Sequence, residues 1–213
     1  AFTKYLKTGY YPYFLELNDE ALYQMTLEQN LHTTIEADLA TIYPHLSGSS
    51  VAKIKQLLIF IAGAVPFTPQ WRRLGETLEI GDARTLKTYF KYLEDANLIR
   101  TLPRASKKLS KVEAPAKVYL DNPNQLQAIA PLETINKGTI RETFFINMLS
   151  QQHQLTLPPT GDFLVDQRYL FEVGGRKKGF EQIRDQKRSF VAAADIEMGS
   201  DNKIPLWLFG FLY

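Results

Sequence analysis

Between Ser50 and Asp121 the chain carries three helical apolar patterns and then two strand-like runs, an order that few folds accommodate. Ile54, Leu57, Leu58 and Ile61 recur at three and four residue spacing, so a helix is expected from Ser50, its cap, through Ala64. Thr68 is the expected cap of a second helix, with Pro69 in its first turn and Leu74 and Leu78 facing inward. Gly81 and Asp82 open a third that runs to about Asn97. Beyond it, LIRTLPR and AKVYLD are strand-like, and the polar, lysine-rich SKKLSKVEAP between them suits a hairpin connection.

Helix, helix, helix, basic hairpin is the order of a winged helix-turn-helix. At about 100° per residue, Arg84, Lys87 and Lys91 fall within about 60° of one another with Thr88 beside them. Leu86, Tyr89, Phe90 and Leu93 gather on the opposite side. A recognition helix needs this division, with apolar residues anchoring it and basic or hydroxyl side chains left for phosphates and base edges. Arg104, Lys107, Lys108 and Lys111 of the hairpin would reach a neighbouring stretch of backbone, so mostly phosphate contacts are expected. The same lysines would also suit an ordinary solvated helix or a protein-docking surface.

Charge is uneven in a way the net of +2 conceals. From Arg100 to Lys117 there are six basic residues against one acid, and from Arg176 to Arg188 six against two, which leaves −7 for the rest. Two basic islands therefore sit on an acidic body, and such islands set the field a polyanion meets. The absence of cysteine excludes disulfides, thiolate nucleophiles and cysteine-bearing zinc sites, and fits the cytoplasmic location expected. The longest apolar stretches, such as LLIFIAGAV, fall well short of the ~18 residues a membrane span needs, so no membrane partner is expected.

Upstream, a short segment ends near Leu17, and Leu27, Leu31, Ile35, Leu39 and Ile42 mark a long helix from about Asp19 to Tyr43. Pro44 and the run from Ser47 to Ser50 end it. Its pattern suits a connecting helix or a core helix of the domain that follows. The opening AFTKYLKTGYY, without an initiator Met, suggests a segment of a longer product.

Downstream, a helix is expected from Gly138 with Ile140, Phe144, Phe145, Met148 and Leu149. Short strands follow around Leu155 to Leu157, Asp162 to Asp166 and Tyr169 to Val173, then a helix from Phe180 to Ala194 and a last strand, IPLWLFGFLY. An αβββαβ order implies a helix covering one face of a small mixed sheet. Alternate strand residues share a face, so pairing the second and third strands would bring Asp162 and Glu172 together. Two adjacent carboxylates suit a divalent cation such as Mg²⁺, with Glu142 of the preceding helix as a third oxygen donor. The bland alternative is that each is a solvated acid near a turn.

GTIRETFF, GDFLV and LFEVGG resemble, in order and spacing, the Glu-bearing helix, the Asp-bearing strand and the (D/E)XK strand of PD-(D/E)XK nucleases. YLKTGYYPYFLE, LIFIAGAV, DARTLKTYFKYLEDANLI and KVYLDNP are similar to the C-terminal region of bacterial and archaeal AAA-type ATPases of uncertain function. In those proteins a winged helix and a nuclease-like domain follow the ATPase core. The resemblance implies an α+β or α/β chain in three parts: a helical segment 1–48, a winged helix 49–122 and a restriction-endonuclease-like domain 123–213. It places the acids at Glu142, Asp162 and Glu172, with Asp162 and Glu172 as metal ligands. The lysine position falls on Gly174. Lys177, or its neighbours Arg176 and Lys178 in GGRKKG, would have to replace that lysine, whose loss removes a group that polarises water and neutralises developing charge.

The expected function is a DNA-associated accessory region, with a winged helix binding double-stranded DNA and a nuclease-like domain that does not cleave. A non-catalytic module docking a protein partner, or an active Mg²⁺-dependent nuclease with a displaced lysine, are the alternatives. No cofactor is expected beyond Mg²⁺ at an intact acid site. No Walker motif occurs, so ATP hydrolysis would fall to an ATPase core elsewhere in the same polypeptide. His32, His45 and His153 are scattered without ligand spacing.

Overall fold

The computed structural model describes residues 1–105, 115–131, 133 and 135–212. They form a mixed helix and strand architecture with two small sheets. Two compact units emerge, Ala1–Arg100 with Val118–Ile135 and Thr101–Lys117 with Asn136–Tyr213. Among the described residues no helix is long and apolar enough to cross a membrane.

The first unit opens with α1 (Phe2–Thr8) and α2 (Phe14–Leu17), followed by α3 (Glu20–Thr33), a π turn (Thr34–Asp38) and α4 (Leu39–Ile42). Asp19 caps α3 by accepting from the Leu22 N–H at 2.7 Å. Tyr23, Leu27, Leu31, Ile35 and Leu39 are all buried, each four residues after the last. A strict four-residue repeat on an α-helix advances about 40° per step, so the stripe would wind off the core. The wider π turn unwinds that drift and returns Ile35 and Leu39 to the buried face. Ile42, expected on the same stripe, is instead 64% exposed.

Helix α5 (Gly48–Ala64) buries Ile54, Leu57, Leu58 and Ile61 as expected, but its cap is Ser47, whose hydroxyl accepts from the Ser50 N–H at 3.2 Å. Helix α6 (Trp71–Thr77) starts later than Thr68 and Pro69 suggested, with Gln70 at its N-cap. The reason lies in the preceding backbone. Phe67 exchanges hydrogen bonds with Val118 in an antiparallel bridge, which holds this stretch extended. Gly75 permits the turn into α7 (Ala83–Asp95), since a Cβ there would lie 2.9 Å from the Ile80 carbonyl oxygen. Asp82 caps α7 through the Arg84 N–H at 3.0 Å. Strands β1 (Ile99–Leu102) and β2 (Lys117–Leu120) form a two-stranded sheet.

A further helix, α8 (Pro123–Ile129), packs on α1, α3 and α5. Asn122 caps it, and Pro123 occupies its first turn. The buried Asn124 Oδ1 accepts from the Tyr23 hydroxyl at 2.7 Å and the Tyr10 N–H at 2.9 Å, while its amide donates to the Tyr5 and Leu6 carbonyls. These bonds tie the start of the chain and α3 to α8 within one unit. The long helix is thus a core helix and not a connecting arm.

In the second unit, Asn136 caps α9 (Lys137–Leu149) through the Thr139 N–H at 2.8 Å. The sheet runs β3 (Leu155–Thr156), β4 (Phe163–Val165), β5 (Tyr169–Gly174), β6 (Ser189–Ala193) and β7 (Lys203–Pro205) in that spatial order. Pairing is antiparallel from β3 to β5 and parallel from β5 to β7. Helix α9 packs on β5, and Phe145 sits about 5 Å in ring separation from Phe163, Phe171 and Phe209. The helix expected over Phe180–Ala194 is not formed. Turns occupy Phe180 to Arg188, and the apolar run that follows is β6, in parallel register with β5 from Leu170↔Ser189 to Gly174↔Ala193. A strand buried on both faces reads as continuously apolar, which periodicity alone does not separate from a buried helix. The last expected strand also shortens: β7 ends at Pro205, and Leu206–Phe211 is a 3-10 helix that buries Leu206 and Phe209.

Candidate functional site

The exposed face of α7 carries Arg84, Lys87 and Lys91, while Leu86, Tyr89, Phe90 and Leu93 are buried beneath it. Lys87 lies over Trp71 of α6, its ammonium 5.5 Å from the ring centroid, which holds the charge at the surface where α6 and α7 meet. Lys91 pairs with Asp95 at 3.0 Å, an i,i+4 contact that raises the lysine's pKa. Thr88 is half-buried, and its hydroxyl donates back to the Arg84 carbonyl at 3.1 Å. On α6, Arg72 and Arg73 are exposed, the former bonded to Glu76 at 3.0 Å. Lys107, Lys108 and Lys111 lie outside the described residues. Arg104 is exposed, and its neighbours Pro103 and Ala105 exchange backbone hydrogen bonds of 2.7 and 2.9 Å with Leu157, beside β3.

The carboxylates of the second unit form a different centre. The Asp162 N–H donates to the Phe171 carbonyl at 2.9 Å, and its Oδ2 accepts from the Val173 N–H at 2.8 Å. Since Phe163 pairs with Phe171, Asp162 lies across from Glu172. Glu172 is fully buried, and its carboxylate is ion-paired with the Lys178 ammonium. Burial is the largest influence on each partner. It drives the Glu172 carboxyl upward, an effect Lys178 opposes and Asp162 reinforces. It works against the charged Lys178, yet Glu172, Asp162 and Glu142 outweigh it and hold this lysine above its ordinary value. Glu142 on α9 is paired with Lys117 at 3.5 Å.

Gly174 supports this arrangement by lacking a side chain. A Cβ there would come 2.6 Å from Lys178 Cβ and 2.7 Å from its Cγ, so the lysine stem crosses directly over the glycine. The turn that carries it is closed by the Lys178 N–H on the Gly175 carbonyl at 2.9 Å. Lys203 fixes the turn further, its ammonium donating to the Arg176 and Lys178 carbonyls at 2.8 Å each. Arg141 lies against Gly175 and pairs with Asp195 at 2.9 Å.

The residues do not fit the divalent cation that a nuclease-like motif implies. One carboxylate faces an ammonium, the other is engaged by a backbone N–H, and among the described residues no three His, Cys, Asp or Glu side chains converge on a metal position.

A family model described as a domain of unknown function (DUF8612) matches residues 1–134. The chain belongs to this family. No curated protein and no solved structure matches it. The DUF8612 match covers every element from α1 to α8, including the α7 face and the Asn124 network, and stops before α9 and the acid centre.

Within the DUF8612 region, Arg84, Lys87 and Lys91 share one exposed face, and Thr88 is turned to the backbone. Beyond it, Asp162 and Glu172 do come together, with Glu142 close enough to act on the same lysine. Lys177 is exposed, and Lys178 is the lysine at Glu172. A signal for this was present: a residue four beyond a glycine can fold back over it when Gly174 and Gly175 open a turn. Trp71 was also missed as a neighbour of the basic face, although it opens α6 beside two arginines.

Proposed function

We propose that this chain is a DNA-associated module that grips the duplex backbone through α7 and carries a nuclease-like unit that does not cleave. The observation that carries the reading is the two-sided character of α7, with Arg84, Lys87 and Lys91 exposed over a buried apolar face. The order α5, Phe67 bridge, α6, α7, β1, β2 agrees with the helix and strand sequence of a winged helix, whose third helix enters the major groove. For the second unit, the antiparallel β3–β5 meander followed by parallel β6 supports the restriction-endonuclease-like reading. The resemblance of the chain to the region after an AAA-type core makes an ATPase in the same polypeptide its natural partner, in the cytoplasm.

Fluorescence anisotropy of a labelled duplex across a salt series tests the reading. Lys87→Glu with Lys91→Glu should flatten the slope of log K against log salt by about 1.8, at ~0.9 per lost phosphate contact. Taking 1 M as the point where the ionic contribution vanishes, that is roughly 60-fold weaker binding near 0.1 M. Equal binding by the double variant sinks the proposal. A protein-docking reading draws on the pairing of Lys91 with Asp95 and of Arg72 with Glu76, which leaves less free charge on this face. A stable partner together with no duplex binding at low salt would favour it.

A further inference from the structure

A carboxylate buried as deeply as Glu172 must be protonated or face a cation, because its charge finds no water to solvate it. Neither of its oxygens has a hydrogen-bond partner among the described residues, so the anion depends on a charged neighbour. That neighbour is the Lys178 ammonium. Three independent features deliver it. Gly174 leaves open the space the stem crosses, where any side chain, including the motif lysine, would collide with Lys178 Cβ and Cγ. The Gly175–Lys178 turn is closed by its own backbone hydrogen bond and clasped by Lys203. Asp162 and Glu142 add their negative charge around the same ammonium. A divalent ion binding these carboxylates would sit within a few ångströms of that ammonium, where screening by water is weak and repulsion strong.

We infer that Lys178 is the resident cation of the Glu172 centre and closes it to divalent metal ions. The centre is then a metal-independent ion pair that fastens the β5–β6 crossover to the sheet. The inference stands on the geometry of the second unit alone and survives a failure of the DNA-binding proposal.

Mn²⁺ titration of the whole chain, followed by the electron paramagnetic resonance of free Mn²⁺, tests it. The wild-type protein should show no saturable binding at millimolar Mn²⁺. Lys178→Met should gain a saturable site at least ~100-fold tighter, since a positive charge is removed from a poorly screened position. Adding Glu172→Gln to that variant should abolish the gain. Gly174→Ala should gain binding in the same direction with the lysine still in the sequence, because the new methyl group pushes the stem away. Saturable Mn²⁺ binding by the wild type that Glu172→Gln removes would overturn the inference. So would a Lys178→Met protein with native circular dichroism and no gain. If Lys178→Met does not fold, the wild-type and Gly174→Ala titrations decide alone: binding in the first or none in the second refutes it.

Discussion

Replacing Arg100 with Met would strand a charge inside the first unit. Arg100 pairs with Asp121 at 2.7 Å, and their side chains are 15% and 3% exposed. Burial pushes the Asp121 carboxyl above its ordinary value, and Arg100 pulls it back. Removing one partner of a buried pair costs about 3–5 kcal/mol, far more than the pair itself contributes against an apolar substitute. Unfolding entropy is about 2.1 cal/mol/K per residue, so a unit of roughly 120 residues loses about 4 °C in Tm per kcal/mol. The expected drop is about 12–20 °C.

The loss carries a pH signature. Without Arg100 the folded-state pKa of Asp121 rises further above its unfolded value, so the folded protein holds the proton more tightly. The penalty is absent below the unfolded pKa, grows as pH climbs towards the raised folded value, and is complete above it. Urea unfolding at pH 7 and pH 5 should therefore show a larger deficit at pH 7. Adding Asp121→Asn removes the stranded charge while keeping an acceptor for the Asn122 amide, now at 3.1 Å, and should restore more than half of the loss. A deficit under about 1 kcal/mol, the scale of an exposed pair, would refute the reasoning, as would an equal deficit at both pH values.

Asn124→Leu removes the partners of the Tyr10 N–H, the Tyr23 hydroxyl and the Tyr5 and Leu6 carbonyls, at about 1–3 kcal/mol for each group that stays buried. Hydrogen exchange should accelerate over Tyr5 to Tyr11 well before it does in α5; uniform acceleration would mean the network is not a local latch. Incubation with supercoiled plasmid and Mg²⁺ should give no nicking by the wild type. Nicking that Asp162→Ala and Glu172→Ala both abolish would mean that Lys178 serves cleavage and that the second unit is an enzyme.

Helices whose caps and apolar stripes lie close together in sequence were legible in advance, as α5, α7 and α9 show. Their limits shifted where another cap took over, as Ser47 did for Ser50 at α5, or where a longer-range hydrogen bond intervened, as at Phe67 ahead of α6. Helix α8 escaped because its buried face is polar: Asn122, Asn124 and Gln125 are interior residues, and Asn122 and Gln125 donate to the Tyr11 hydroxyl, whose pKa burial pushes up to about 12. No apolar period announces such a helix, although the Asn-Pro pair does mark a cap. Strand β6 escaped for the opposite reason, being apolar from Phe190 to Ala193. The meeting of Asp162 with Glu172 followed from alternation and a short connection. The choice of Lys178 over Lys177 depended on which way a turn closes, a matter decided by Gly174 and by Lys203, which is distant in sequence.

The backbone pairing of Pro103 and Ala105 with Leu157 has a consequence for how this protein can be divided. An uncovered edge strand offers a row of free N–H and C=O groups on which another chain can align and aggregate. Residues 103–105 pair with Leu157, directly after β3, and so cover the end of that row, yet they come from a stretch that precedes α8 and lies inside the DUF8612 match. The chain therefore passes from one unit to the other at Arg100, returns at Val118 and leaves again after Ile135. A cut between residues 134 and 135 would separate the sheet from its own edge cover, so the family boundary is not a solubility boundary.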